Sequence, residues 1–240
     1  MSISTATLTL ALAGTTAAQD QVAVVSESFP LERIVVTGSK MKAAQIGGSA
    51  IYLDTADLEK FSYADVNRVL RQAPGVYLRE EEGFGLRPNI SIRGSYDDRN
   101  SKIALYEDGV LMAPAPYAAP SAYYFPAIGR MSGVEIVKGA GAIKYGPHTA
   151  GGTVHLFSTP IPDTVDNVSG KASLVAGEYG TLRGHGVAGG YTRLGAYDLG
   201  VALETYQDRS NGFKELDNGG PTGYGVEDYV GKIALRSNDA

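Results

Sequence analysis

Cysteine and tryptophan are both absent from the 240 residues. Without cysteine there is no disulfide and no thiolate-ligated metal site, and the zero count does not discriminate between compartments. No apolar run approaches the roughly 20 residues that a membrane-spanning helix needs, so any residence in lipid has to use a closed β-sheet. There is no basic excess either. Lys and Arg number 21 against 26 Asp and Glu, a net charge of −5, which leaves no electrostatic footprint for nucleic acid. Histidine is scarce. His148, His155 and His185 stand at no metal-ligand spacing, and His155, on a strand, reads as a structural residue. Enzymatic signatures are missing as well. There is no Ser-His-Asp arrangement with local support and no P-loop, and Gly139-Ala-Gly141 lacks the Lys-Ser/Thr ending of a phosphate cradle. The chain is therefore expected to be neither an enzyme nor the holder of a cofactor or resident metal.

What the chain has instead is glycine and tyrosine, 31 and 15 residues. Together with short alternating segments they favour β structure with many turns. Ile3 to Ala18 (ISTATLTLALAGTTAA) reads as an export signal without a basic n-region, since no Lys or Arg precedes Arg33. Residues 19–48 read as a polar linker around one β-prone knot, Leu31 to Thr37. Such a segment suits either strand addition to a partner sheet or the first strand of the next domain.

From Ser49 to Pro160 the pattern is that of a small mixed α+β domain. Ala50 to Leu53 is strand-like, and Thr55 can cap a short turn. Ser62-Tyr-Ala-Asp65 has capping-box spacing. Val66, Val69, Leu70 and Ala73 then mark one helical face, which Pro74-Gly75 ends. Val76–Leu78, Asn89–Arg93, Ile103–Tyr106 and Val110–Met112 read as strands, with Asp108-Gly109 as a tight hairpin turn. Glu80 to Glu82 reads as a solvated charge run. Beyond Pro160-Ile-Pro162 the texture changes. Tyr197, Leu199, Val201 and Leu203 form an apolar face against Asp198, Gly200, Ala202 and Glu204. Tyr229 to Leu235 repeats the pattern, and Val168–Val175 and Leu182–Arg193 are weaker examples. Ten-residue alternating segments with short turns at one side and a long loop, Ser210 to Gly223, at the other are the signature of transmembrane β-strands. A soluble β-sandwich fits the alternation equally well.

Five segments in order carry a family resemblance: LERIVVTG (Leu31–Gly38), VNRVLRQAPGV (Val66–Val76), ISIRG (Ile90–Gly94), LYEDGV (Leu105–Val110) and the glycine-dense stretch Val134–Gly152. The chain resembles TonB-dependent outer-membrane receptors. Within them it looks most like the ferric citrate receptor group, through Asp108–Pro147 and the Pro-rich loop Ala113–Pro120.

The resemblance implies a signal peptide at 1–18 and a periplasmic linker at 19–48 with a TonB box at 31–38. It further implies a plug at 49–160 and about four barrel strands at 161–240. In that reading Glu32, Arg33, Ile34, Val35, Val36 and Thr37 add as a strand to a TonB-type energy-transducing protein in the periplasm. The plug lies in the barrel lumen in the outer membrane, and Arg93, Glu135 and Lys138 make charge contacts to the barrel wall. The apical loops Glu80–Arg87, Ser95–Lys102 and Ala113–Tyr124 meet the ligand. Arg87, Arg99 and Lys102 attract an anionic chelate, and Tyr117, Tyr123 and Tyr124 pack on it. The group's Thr and Gln contacts to citrate correspond here to the neighbourhood of Phe84 and to Ala119, neither of which offers the same hydrogen bonds. That points to a larger or more apolar Fe3+ chelate.

Cobalamin, a nickel chelate or a carbohydrate remain alternatives. So does a soluble plug-like binding module, or a secreted carbohydrate-active β protein, although no carboxylate pair in a cleft is evident for the last. Plugged barrels close with about 22 strands, so the resemblance also implies a truncated chain that alone would neither insert nor transport.

Overall fold

The computed structural model describes residues 7–10, 40–43, 46, 48–95, 100–112, 124–146 and 149–237. The chain divides into two units, one comprising Ile34–Thr159, the other Pro160–Ala240 with Met1–Arg33. The predicted box, Glu32–Thr37, lies outside the described residues, as do Arg99, Tyr117, Ala119 and Tyr123.

The first unit opens with the short helix α1 (Lys40–Ala43) and strand β2 (Ser49–Leu53), β1 being a separate N-terminal strand described below. Helices α2 (Thr55–Glu59) and α3 (Val66–Leu70) follow, then β3 (Val76–Arg79), β4 (Asn89–Ile92), β5 (Ile103–Glu107), β6 (Val110–Leu111), β7 (Met131–Lys138) and β8 (Gly152–Ser158). Both helices start on an aspartate rather than where spacing alone puts them. Asp54, not Thr55, caps α2: it accepts from the Asp57 amide at 2.9 Å, and Asp57 accepts from the Asp54 amide in return. Thr55 instead donates its hydroxyl to the Ser132 carbonyl at 2.7 Å. Likewise Asp65 is itself the cap of α3, accepting from the Asn67 amide at 2.8 Å, whereas Ser62 bonds back to Glu59. Each cap satisfies an amide that the first helical turn leaves without an internal partner.

The expected face of α3 is the buried one: Val66, Val69, Leu70 and Ala73 all lie in the core. Strands pair in the order β2-β7-β8-β5-β6, antiparallel except for β5 with β8, while β3 and β4 form a separate ribbon. Asp108 and Gly109 both have positive φ, 47° and 83°, as a two-residue hairpin turn between β5 and β6 demands.

Side chains alternate across the sheet. Ile51, Leu53, Val134, Ile136, Val154, Leu156, Ile103 and Leu105 form one core with the helices and with Val76, Ile90 and Ile92. The opposite face carries Tyr52, Glu135, Thr153, His155, Phe157 and Tyr106. It is polar and aromatic, yet Glu135 and Thr153 are fully buried.

The second unit is an antiparallel meander of β9 (Ser169–Ala176), β10 (Leu182–Leu194), β11 (Tyr197–Ser210) and β12 (Tyr224–Ser237). The four-residue β1 (Thr7–Leu10) lies within the stretch read as an export signal, and here it pairs with the outer edge of β9. An open sheet edge offers a row of unpaired amides and carbonyls to any β-prone segment. β10 and β11 turn back on Gly195-Ala196, with Leu194 opposite Tyr197, while residues 211–223 form the long loop.

At 14 residues each, β11 and β12 run well beyond the usual strand length. At about 3.3 Å per residue each is ~45 Å long, enough to cross a ~30 Å hydrocarbon layer at a tilt. Their burial is inverted relative to a soluble sheet. Leu203 is 69 % exposed and Ile233 80 %, while Glu204 is 6 % and Asp208 5 %. The buried face is tied by polar bonds. Arg183 Nε donates to Asp208 at 3.1 Å, the Tyr224 hydroxyl to Asp208 at 3.2 Å, and His185 Nε2 is 2.8 Å from Glu204. Long strands with the apolar face outward are those of a transmembrane barrel wall, so the sandwich alternative does not fit.

On a lipid-facing strand Leu203→Lys is expected to cost about 2–4 kcal/mol near mid-bilayer, whereas on a soluble surface it would be close to neutral. Urea unfolding of the full-length protein in lipid vesicles measures the difference.

Candidate functional site

The first loop expected to meet ligand, Glu80–Arg87, is tied to the elements that flank it. Glu80 and Glu81 of the charge run are exposed to solvent as expected, and all three glutamates also have partners. Glu80 pairs with Arg71 of the α3 exit at 2.7 Å and Glu81 with Arg79 at 3.8 Å, while Glu82 accepts from the Leu86 amide and, at 3.1 Å, from the Arg87 amide. Gly85 presses onto the α3 cap so closely that a Cβ there would come within 1.9 Å of Asp65 Oδ1. Burial is the main force pushing the Asp65 carboxyl above its ordinary range. The bond from the Asn67 amide opposes it, and the charge of Glu80 adds to it. Phe84 is half-buried, and Arg87, at the exit of the loop before β4, is exposed.

The second loop is pinned by Asn100, which sequence reading did not single out. Asn100 is fully buried in the left-handed region, φ 61°. Its Oδ1 accepts from the Ile90 amide, and its Nδ2 donates to the Pro88 carbonyl at 3.0 Å. One side chain thus ties the exit of the loop carrying Arg87 to the loop that leads to Lys102, which is exposed. The signal was available: asparagine tolerates positive φ and can bridge backbone groups. Gly151 closes this junction from the β8 side. Its amide donates to the Lys102 carbonyl at 2.8 Å, and a Cβ on it would fall 2.6 Å from Ser95 Oγ. Tyr124 is exposed at the end of the third loop, next to Phe125, which packs on the core.

The three charges expected at the plug surface divide between two faces. Arg93 has φ 53° and lies over Gly139, where an added Cβ would be 3.2 Å from Nη1. Lys138, on the helix side of β7, is buried and donates from Nζ to the Pro74 carbonyl at 2.7 Å. Burial and then the Arg93 charge hold its ammonium below the ordinary lysine range. Glu135 points the other way and is directly opposite His155 in the β7–β8 ladder. The His155 ring stacks on Tyr106 at 4.6 Å and 9°, and Tyr145 covers it edge-on at 4.6 Å. Its Nε2 is 3.1 Å from the Thr153 hydroxyl, which accords with a structural role. Burial, with a contribution from Lys144, pushes His155 down from 6.5 to about 4. Among the described residues no cluster of His, Cys, Asp and Glu could hold a metal ion.

A mixed-sheet domain followed by long outward-apolar strands has the architecture of a plug and the start of a barrel wall. Residues 42–153 match the TonB-dependent Receptor Plug Domain family, and this stretch of the chain is a plug domain of that family. Among curated proteins, the vitamin B12 transporter BtuB of Vibrio cholerae is 25% identical over 186 residues, covering 77% of this chain and 29% of that protein. The chain thus spans under a third of that relative's length. Among solved structures, the ferric enterobactin receptor PfeA of Pseudomonas aeruginosa superposes with a TM-score of 0.55 at 16% identity, covering 78% of this chain and 30% of that one. The siderophore receptor PirA of Acinetobacter baumannii gives 0.53 at 19%, covering 75% and 27%. These likenesses establish the fold.

The pH behaviour of the plug follows from His155. Its neutral form is favoured by the fold, so stability is full above the ordinary value of 6.5 and falls as pH drops toward about 4. Between pH 7 and pH 4.5 the loss should be about 2–3 kcal/mol. Denaturant titrations at the two pH values measure it, and His155→Gln should flatten the slope.

Proposed function

We propose that this chain is the gate and a section of the wall of an outer-membrane receptor that imports an Fe3+ chelate and is driven by a TonB-type protein in the periplasm. The observation that carries this reading is the inverted burial of β11 and β12 in a chain whose other unit is a plug domain. In this reading the plug occupies the barrel lumen and the N-terminus is periplasmic. Glu32–Thr37 adds as a strand to the energising partner, and residues 1–18 are an export signal. Removal of that signal frees the outer edge of β9, where Thr7–Leu10 pairs, for another wall strand.

The iron assignment draws on the names of PirA and PfeA and on the chemistry of the loops. Asn100 joins the segments that present Arg87 and Lys102, two cations suited to an anionic chelate. Phe84 and Tyr124, and Ala119 in the Pro-rich loop, favour a chelate larger or more apolar than the citrate suggested by the sequence match over Asp108–Pro147. We place Arg93, which is exposed, as a polar contact to the wall; Glu135 and Lys138 are buried, Lys138 on the Pro74 carbonyl of the plug itself. The 25% identity to a vitamin B12 transporter supports cobalamin as the second reading.

Uptake of radioactive iron by cells expressing the full-length receptor tests the proposal, with ferric citrate, ferric hydroxamate and ferric catecholate offered separately and labelled cobalamin as the alternative. At least one iron complex should be taken up, and cobalamin should not. Val35→Pro should reduce uptake to background while surface binding stays within about two-fold, because proline removes a ladder donor without touching the loops. Unaltered uptake in Val35→Pro would show that the box lies elsewhere.

A further inference from the structure

The start of the second unit, from Pro160, makes more bonds than a linker needs. β8 ends at Ser158, and Pro160-Ile-Pro162 follows, where two residues lack an amide donor. From Asp163 the chain docks onto the wall sheet. β9 pairs with β10 only as far as Ser169 opposite Gly189. Below that point the edge of β10 is taken over by the connector, through a parallel bridge between Val165 and Tyr191. The Tyr191 amide donates to the Thr164 carbonyl and the Asp166 amide to the Tyr191 carbonyl, each at 2.7 Å. The Arg193 amide donates to Asp166 Oδ1 at 2.9 Å. The contact is close enough that a Cβ on Gly190 would lie 2.2 Å from the Asn167 carbonyl oxygen.

One guanidinium, from the far strand β12, closes the arrangement. Arg236 Nη1 donates to Asp163 at 2.7 Å and its Nε to Asp198 of β11 at 3.1 Å. Its Cζ stands 4.0 Å from the centre of the Tyr191 ring. Tyr191 in turn lies over Gly200, its cross-strand partner, where any Cβ would come within 2.4 Å of the ring. Arg236 therefore links the connector, β10, β11 and β12 at one point. A fork that bonds two carboxylates while its face stacks on an aromatic ring is a role lysine does not reproduce.

We propose that Asp163–Asn167 is a fixed anchor on the wall, with Arg236 as its positioning residue, so that movement of the gate ends at Pro160-Ile-Pro162. The inference rests on the outer-membrane reading above. Cell fractionation decides that reading first, since a protein that never reaches the outer membrane fails there and not here. The anchor is then tested without any ligand, by the influx of a glycopeptide antibiotic too large for general porins into cells carrying the full-length receptor. Arg236→Ala should raise influx several-fold, and Arg236→Lys should fall between it and the parent. The 240 residues hold no cysteine to compete with a covalent substitute, and any cysteine elsewhere in the full-length receptor is first replaced by serine. Val165→Cys with Tyr191→Cys, added to Arg236→Ala, places two thiols at β-bridge separation, where a disulfide can form. Oxidation should return influx to the parent level and a reductant should raise it again. If Arg236→Ala fails to assemble, Asp163→Asn, which keeps the Arg236–Asp198 bond, is measured in its place with the same expectation. Parental influx in an assembled Arg236 or Asp163 variant overturns the proposal, and so does a leak that persists once the disulfide has formed.

Discussion

The plug depends on the pairing of β7 with β8. β7 bonds β2 on one side and β8 on the other, and β8 carries β5 in turn. The ladder closes only because the intervening chain folds back over itself. Gly139 turns at φ 80° beneath Arg93, and Gly152 enters β8 at φ 139°, where a Cβ would fall 2.6 Å from the Val137 carbonyl oxygen. A side chain at either position would strain the backbone and displace its neighbour. With the ladder in place, Lys138 reaches the Pro74 carbonyl in the turn after α3, and Glu135 and His155 come face to face. The Gly151 amide then holds the Lys102 carbonyl at the entry to β5.

The wall unit obeys a different rule, because the solvent of its outer face is not water. Hydrocarbon favours leucine, isoleucine and tyrosine at the surface and has no place for carboxylates, so charge collects on the buried side. There Asp208 accepts from Arg183, Tyr206 and Tyr224 together. A buried carboxylate is tolerable when it is hydrogen-bonded on several sides. Both units thus bury hydrogen-bonded polar groups, from opposite arrangements of apolar residues.

Much of this was legible in the residues. The α3 face, the Asp108-Gly109 turn and the long strands follow from spacing of 3.6 or 2 and from turn chemistry. Which wall face is buried was not legible, since alternation looks the same whether the apolar set points in or out; strand length and observed burial decide it. The helix starts were misplaced by a residue or more because Asp54 and Thr55, or Ser62 and Asp65, are equally able to cap. Asp54 prevails through the reciprocal bond from Asp57, and Thr55 is drawn away by a carbonyl 77 residues distant. The partners of Glu80–Glu82 and the clamp at Asn100 depend on how loops fold against α3 and β4, which no local pattern encodes. The box and the Pro-rich loop lie outside the described residues.

The order of strands in the plug sheet also sets how it responds to tension. Among the described residues β2 is an edge strand, bonded only to β7, with its first residue, Ser49, opposite Lys138. Among the described residues of this unit, a pull arriving from the N-terminal side meets Lys40 first, which holds Asp54 and Asp57 at 2.8 and 2.6 Å across the start of α2. These are exposed ion pairs and yield at small cost. The load then falls on the Ser49 end of the ladder, where bonds break in succession, as a zipper opens, instead of sharing the strain along the strand. The weakest direction of the domain is therefore the one that faces its own N-terminus. β7 and β8, bonded on both sides, are left to resist after β2 has gone.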